Sequence, residues 1–131
     1  MALQFKDDSA RLKEEFEGKI DLRLQLILRG LSGYVKSKFA KTLVITCLLR
    51  DAAENAALAG SNPQSAHLRG DAADIRSRDF TQAEINKILV YVKQLWGPLV
   101  HCIFHNPGGN APHIHLNINW QYSARNNSIL E

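Results

Sequence analysis

The sequence predicts an α+β domain in which a small, largely antiparallel sheet is flanked by helices. Apolar residues repeat at helical spacing over 8–39 and again over 82–96, and short β-branched runs lie between and after them. These runs do not alternate with helices as regular βαβ units would. With 131 residues, 45% hydrophobic and 22% charged, the chain has the size and composition of one globular domain over 1–131.

The first helical region, 8–39, is predicted to consist of two helices with a break near Gly18. The second helix carries an apolar stripe that needs a partner surface. The stripe consists of Leu24, Leu28, Leu31 and Val35. Residues 42–49 are apolar and partly β-branched, and they predict a buried strand that ends at Arg50.

A short helix is expected over 51–59, and the glycine, asparagine and proline that follow predict a loop. The clearest helix signal covers 82–96. Thr81 and Glu84 have the spacing of a capping box, and Gly97 with the proline after it predicts the end of the helix.

Two strands are expected over 99–105 and 113–119, joined by a turn that contains two glycines. A register in which paired residue numbers sum to 218 would place His105 opposite His113. The polar residues 123–131 predict a loose tail.

Charge and hydropathy exclude several function classes. The net charge is +3 and the basic residues are scattered, whereas a nucleic-acid interface normally shows a clustered basic stripe. No apolar stretch is long enough to span a membrane. The chain starts without an apolar segment behind a basic one, so we expect synthesis in the cytoplasm without a signal peptide. Cys47 and Cys102 form no C-x-x-C pair and are interpreted as reduced packing residues.

Two segments combine residues that bind metals. His67 and Asp74 flank a turn glycine, Gly70, which lets the backbone reverse near the site. In an extended segment His113 and His115 point to the same side. Convergence of His67, Asp74 and one of this pair would give two imidazoles and one carboxylate with an open fourth position, as a catalytic zinc site requires.

The pattern S-x-H-x-x-G-x-A-x-D, followed by H-x-H, resembles the zinc D-Ala-D-Ala carboxypeptidases and L-alanyl-D-glutamate endopeptidases. These peptidases are related to the lysostaphin-type and hedgehog-domain group. The run from Ile45 to Asn55 also resembles the strand-then-arginine segment of this family. The resemblance is close over 43–76 and looser over 99–118.

The resemblance implies a role for each matching position. It implies one zinc ion on the sheet, with His67, Asp74 and His115 as ligands. His113 falls at a histidine that stabilises the transition state or handles protons. Arg50 falls at an arginine near the substrate carbonyl or carboxylate, and Ser65 at a substrate-facing serine.

The chain departs from the family pattern at the general base. Many members have an acidic residue three positions before the last ligand, where this chain has Pro112, and others have a histidine at the position of Asn110. If the predicted register holds, His105 is a candidate to orient His113 or to shuttle protons.

Two functions are therefore expected. The first is a monomeric zinc peptidase that cuts peptidoglycan stem peptides, as a carboxypeptidase or an endopeptidase. Such an enzyme would fit a phage or prophage endolysin that reaches the cell wall through a holin or lysis. The second is a catalytically silent zinc-containing binding domain of the same fold, favoured by Pro112. Neither includes a nucleic-acid partner or membrane insertion.

Overall fold

A computed structural model of the chain describes residues 3–58, 65–106 and 111–126. Its four helices are α1 (Ala10–Gly18), α2 (Leu22–Phe39), α3 (Ala52–Ala57) and α4 (Gln82–Trp96). Its five strands are β1 (Leu3–Phe5), β2 (Leu43–Cys47), β3 (Ala72–Arg76), β4 (Val100–His105) and β5 (His113–Ile118). Short 3₁₀ turns cover Lys6–Asp8, Ala66–Arg69 and Trp120–Tyr122.

The strands form one sheet in the order β1-β2-β3-β5-β4. Strand β1 pairs with β2 in parallel, and all the other pairings are antiparallel. The α+β class and the largely antiparallel sheet are therefore confirmed. Strand β1 was not expected, because three residues are too few to show a period of two.

The predicted register between the last two strands is confirmed. His105 pairs with His113 and His101 pairs with Asn117, so both predicted pairs lie across the β4–β5 ladder. The loop expected after α3 and the glycine turn between these strands fall mainly in 59–64 and 107–110, which lie outside the described residues.

Helices α2 and α4 pack with the sheet around one apolar core. The stripe predicted on α2 is fully buried, and Ile88 and Val92 of α4 are buried with it. The capping box is present, since Thr81 accepts from the Glu84 N–H and Glu84 accepts from the Thr81 N–H. None of the helices in the described ranges combines the length and the apolarity needed to cross a membrane.

The predicted loose tail is wrong at its first residue. Ser123 is completely buried, and its hydroxyl donates to the buried carboxylate of Asp71. The guanidinium of Arg23 also donates to the Tyr122 carbonyl at 2.8 Å. Because a buried carboxylate needs donors, the chain is fixed to the domain at this point. Residues 127–131 lie outside the described part.

Gly70 ends the turn that carries His67 and starts the approach to β3. It adopts a left-handed conformation with φ of 74°, and a Cβ built there would lie 3.2 Å from the carbonyl oxygen of Lys19. A glycine is thus required both by the backbone angle and by the close approach of the neighbouring loop. This turn brings His67 back towards Asp74, seven positions later.

We expect Gly70→Ala to lower the free energy of unfolding by about 2 kcal/mol, because a left-handed alanine is strained and its methyl group meets the Lys19 carbonyl. Gly33→Ala is the matched control. Gly33 lies inside α2 with nothing within 4 Å of the added methyl, so the same change there should raise stability by roughly 0.5–1 kcal/mol. Urea unfolding followed by circular dichroism measures both. A Gly70→Ala variant as stable as the parent chain would contradict this assignment.

Candidate metal centre

Three elements bring the predicted site residues to one face of the sheet. Asp74 lies on β3 and pairs directly with His115 of β5. His113 is two residues earlier on β5 and faces the same side. His67 enters from the 3₁₀ turn before β3 and is almost completely buried. The four side chains predicted from sequence to meet are therefore neighbours in the structure.

The Asp74 carboxylate is the centre of this group. Its Oδ1 atom lies 3.0 Å from Nδ1 of His115, 3.1 Å from Nε2 of His67 and 3.6 Å from Nε2 of His113. Three imidazole nitrogens thus face one carboxylate oxygen. We call these the inner nitrogens, and the opposite nitrogen of each ring the outer nitrogen.

The outer nitrogen of His67 is held by the backbone. Nδ1 lies 2.7 Å from the carbonyl oxygen of Leu48, which can only accept a hydrogen bond. Nδ1 must therefore carry the proton. In a neutral ring the inner nitrogen, Nε2, then presents a lone pair to Asp74.

The outer nitrogen of His115 is held by Asn117. Its Nε2 lies 2.9 Å from the Asn117 side-chain oxygen, while the Asn117 amide group donates to the Ile118 carbonyl at 3.1 Å. The side-chain oxygen is thereby an acceptor, so Nε2 of His115 is the donor. The inner nitrogen, Nδ1, again presents a lone pair.

His113 repeats this arrangement at a longer distance. Its Nδ1 lies 3.1 Å from the Ala111 carbonyl and acts as the donor, which leaves Nε2 facing Asp74. Its inner nitrogen is the farthest of the three from the carboxylate. His113 is thus the histidine best placed to stay off an ion and act on protons.

The donor set fits a zinc ion. Lone pairs of neutral imidazoles cannot face a carboxylate oxygen at about 3 Å unless a cation, either a proton or a metal ion, lies between them. Outer N–H groups bonded to carbonyl oxygens are the usual arrangement around histidine ligands. The ligand types, two imidazoles and a carboxylate, are those of open catalytic zinc sites.

The charge state of Asp74 also suits a ligand. Burial acts to raise the pKa of its carboxyl group, but the contacts with His115 and His67 outweigh burial, and the pKa lies well below its ordinary value. The carboxylate is therefore ionised at neutral pH.

Arg50 lies at the edge of the same cavity. Its Nη2 atom is 3.4 Å from the hydroxyl of Ser65, and its Nε atom is buried with no hydrogen-bond partner among the described residues. The neighbouring acid Glu54 is instead paired with Arg11 at 2.8 Å. A buried guanidinium nitrogen without an acceptor is costly, which suggests that a ligand supplies one.

His105 and His101 lie on β4 at opposite ends of the site. The ring of His105 is 5.1 Å from that of His113, centre to centre, as the predicted register requires. His101 pairs with Asn117 on the neighbouring strand. Both residues line the cavity, but only His105 contacts a residue of the predicted catalytic group.

Two neighbours of the site were not predicted. Asn117, which orients His115, follows the H-x-H motif at the same spacing of two and could have been found by extending the alternation of β5. Cys47 was interpreted as packing, yet its Sγ lies 3.7 Å from the outer nitrogen of His67. Burial, with the charge of Asp74 adding to it, raises the pKa of this thiol to about 12, and Cys47 lies close enough to His67 and Asp74 for the three to hold one metal ion.

The metal centre opens into a cavity of about 1290 Å³. The site residues that line this cavity are Cys47, Arg50, Ser65, His67, Asp74, His101, His105, His113, His115 and Asn117. Pro112, at the position where many members of the resembled family have an acid, uses its carbonyl oxygen to accept from Ser77. Among the described residues the acidic side chains that line the cavity are Asp74 and Asp7, and Asp7 is exposed. The imidazoles that line this part of the cavity are therefore its candidates for proton transfer.

Comparison with known proteins gives one match. The family model described as Peptidase M15 matches residues 8–98, a range that includes Arg50, Ser65, His67 and Asp74. Strand β5 lies beyond the matched range, so His113 and His115 are assigned by geometry. No curated protein and no solved structure matches the chain significantly.

We expect Asn117→Leu to weaken zinc binding by roughly 10- to 100-fold, because His115 loses the acceptor that fixes its ring. Asn117→Asp, which keeps an acceptor, should stay close to the parent chain, and His67→Ala should lose the ion. His101→Ala is the control, since His101 lines the cavity away from the carboxylate. Competition with a chromophoric chelator measures these affinities. Unchanged zinc affinity in Asn117→Leu would contradict the assigned role.

Proposed function

Because the chain belongs to the peptidase M15 family, we propose that it is a zinc-dependent peptidase that hydrolyses peptidoglycan stem peptides. The reaction is that of a D-Ala-D-Ala carboxypeptidase or an L-Ala-D-Glu endopeptidase. The observation that carries the proposal is the set of three inner imidazole nitrogens that face Asp74 while every outer nitrogen is bonded to a carbonyl oxygen.

His67, Asp74 and His115 would hold one zinc ion. The inner nitrogens of His67 and His115 lie 3.1 Å and 3.0 Å from the Asp74 oxygen, closer to it than that of His113 at 3.6 Å. When bound, the ion supplies a Lewis acid for the scissile carbonyl and lowers the pKa of a water molecule to about 7. The three side chains are fixed by the fold before any ion binds.

His113 is the proposed proton-transfer residue. Its inner nitrogen points into the cavity, while the Ala111 carbonyl fixes the ring through the outer nitrogen. A neutral imidazole in this tautomer can accept a proton from the attacking water and return it to the leaving amine. His105 contacts the ring of His113 in an edge-to-face arrangement. It would orient that ring or exchange the proton of His113 with solvent.

Arg50 and Ser65 are the proposed substrate contacts. An arginine side chain is a planar, charged fork, and Arg50 lines the cavity, where its guanidinium can bind a carboxylate or a developing oxyanion. Ser65 lies against the Nη2 atom and fixes the direction of the fork.

The proposed cellular location and biological role are those expected from the sequence. We propose that the chain is made in the cytoplasm and acts on the cell wall as a monomeric phage or prophage endolysin after a holin or lysis releases it. The net charge of +3 favours association with an anionic cell wall.

The alternative is a zinc-containing binding domain without peptidase activity. Pro112 favours it, because the carbonyl group of a proline cannot act as the general base. A binding domain would not need the buried Arg50 nitrogen that has no partner among the described residues, or the fixed tautomer of His113. A peptidase would use both, so it is the stronger proposal.

The test combines metal content with cleavage of defined muropeptides read by mass spectrometry. We expect about one zinc per chain and a chelator-sensitive product. Loss of a terminal D-Ala identifies the carboxypeptidase, and a cut after L-Ala identifies the endopeptidase. Bound zinc without cleavage would support the binding domain, and a chain that binds no zinc would overturn the site.

His113→Ala should lower kcat by roughly 100- to 10,000-fold, because proton transfer is lost, while zinc content stays unchanged. His67→Ala should instead lose zinc and activity together. Measuring both quantities on the same purified samples separates the two roles. A His113→Ala variant with full activity would exclude His113 as the proton-transfer residue, and one that loses zinc would make His113 a ligand.

A further inference from the structure

Trp120 is an exposed aromatic side chain at the rim of the cavity that contains the metal centre. It is 52% exposed, although tryptophan is on average a well-buried residue. It lies in the 3₁₀ turn that follows β5, and it lines the same cavity as His115 and Asn117. The proposed hydrolysis does not use this ring, whose place beside the metal centre makes it available to a bound substrate.

The ring is held in place by its surroundings. The guanidinium of Arg69 lies 4.9 Å from the centre of the indole ring system, a cation–π contact. Arg69 is itself bonded to the buried carboxylate of Asp71 at 3.0 Å, and Asp71 also accepts from Ser123, three residues after Trp120. One face of the indole is thereby covered, and the exposed area belongs to a fixed surface with little conformational entropy to lose on binding.

The neighbours of Trp120 in the cavity are polar. Arg69 lies against the ring, and Asn117 and His101, which pair across β4 and β5, line the same cavity with donors and acceptors. A ligand that matches this surface has one flat apolar face and a polar edge. The stem peptide offers small or charged side chains, and its long cationic side chain would be repelled by the guanidinium of Arg69 that already lies against the indole. A pyranose ring has both features, since its axial C–H groups form an apolar face and its hydroxyl and acetamido groups form the edge.

We propose that Trp120 is a stacking platform for a sugar of the glycan strand, the N-acetylmuramic acid that carries the stem peptide. This inference rests on the proposed function. Register places Asn117 and Trp120 at one end of the site and His113 and His105 at the other, so the sugar enters at the Trp120 end. The bond after L-Ala is the cleavable bond nearest the sugar, whereas the D-Ala-D-Ala bond is the farthest. The platform therefore favours endopeptidase activity.

The kinetic test compares two substrates that differ only in the sugar. One is a disaccharide-pentapeptide, and the other is the same peptide acetylated at L-Ala. Trp120→Ala should lower kcat/KM for the first substrate about tenfold and leave the second within about twofold, because only the sugar contact is lost. Trp120→Phe should recover most of the loss. Leu95→Ala, an equally exposed apolar residue on α4 outside the cavity, is the matched control and should change neither value.

A binding measurement keeps this inference separate from the proposed function. The chain has two tryptophans, so Trp96→Phe leaves Trp120 as the only indole emitter. Adding the peptide-free disaccharide of N-acetylglucosamine and N-acetylmuramic acid should change this emission saturably. If neither substrate is cleaved but the emission responds, the peptidase proposal fails and the platform stands. Equal losses on both substrates, or no selective loss together with unresponsive emission, would overturn the platform.

Discussion

The ionised carboxylate of Asp74 is the constraint on which the site depends. It lies on β3, which pairs with β2 on one side and with β5 on the other, so side chains from both neighbours reach it. Burial of this charge is costly unless cations or donors surround it, and the three imidazoles meet that need only through a proton or a metal ion held between them and the carboxylate. The contacts that compensate for burial of the Asp74 carboxylate therefore also bring a set of possible metal ligands together.

Hydrogen bonds to the outer nitrogens determine which nitrogen of each imidazole can bind a metal ion. Each outer N–H group donates a hydrogen bond, to the carbonyl oxygen of Leu48 or Ala111 or to the side-chain oxygen of Asn117. Each neutral ring therefore turns a lone pair towards Asp74. Tautomer and ring orientation are thus set by folding, which removes part of the reorganisation that binding an ion would otherwise require. A smaller reorganisation on binding means a higher affinity for the same ligand atoms.

The sequence predicted correctly those features of the site that depend on a short repeat along a strand. Alternation along β5 placed His113 and His115 on one face, and a single register across the β4–β5 ladder brought His105 to His113. It missed what depends on distant partners. Ser123 looked like a polar tail because its partner, the buried Asp71, is far away in sequence. The contact between Cys47 and His67 likewise arises from the β2–β3 pairing and from the turn at Gly70.

The cavity is divided along β5 into two chemically different ends. His113 and His105 lie together at one end, while at the other Arg69 is bonded to Asp71 and lies against the ring of Trp120. Because Asp71 begins the segment that leads into β3, the binding end and the metal centre are connected through three residues of backbone. If the chain acts as proposed, a sugar held rigidly at the Trp120 end would position the scissile bond beside Asp74 and the histidines, so orientation would contribute to the rate where no acidic base lies close.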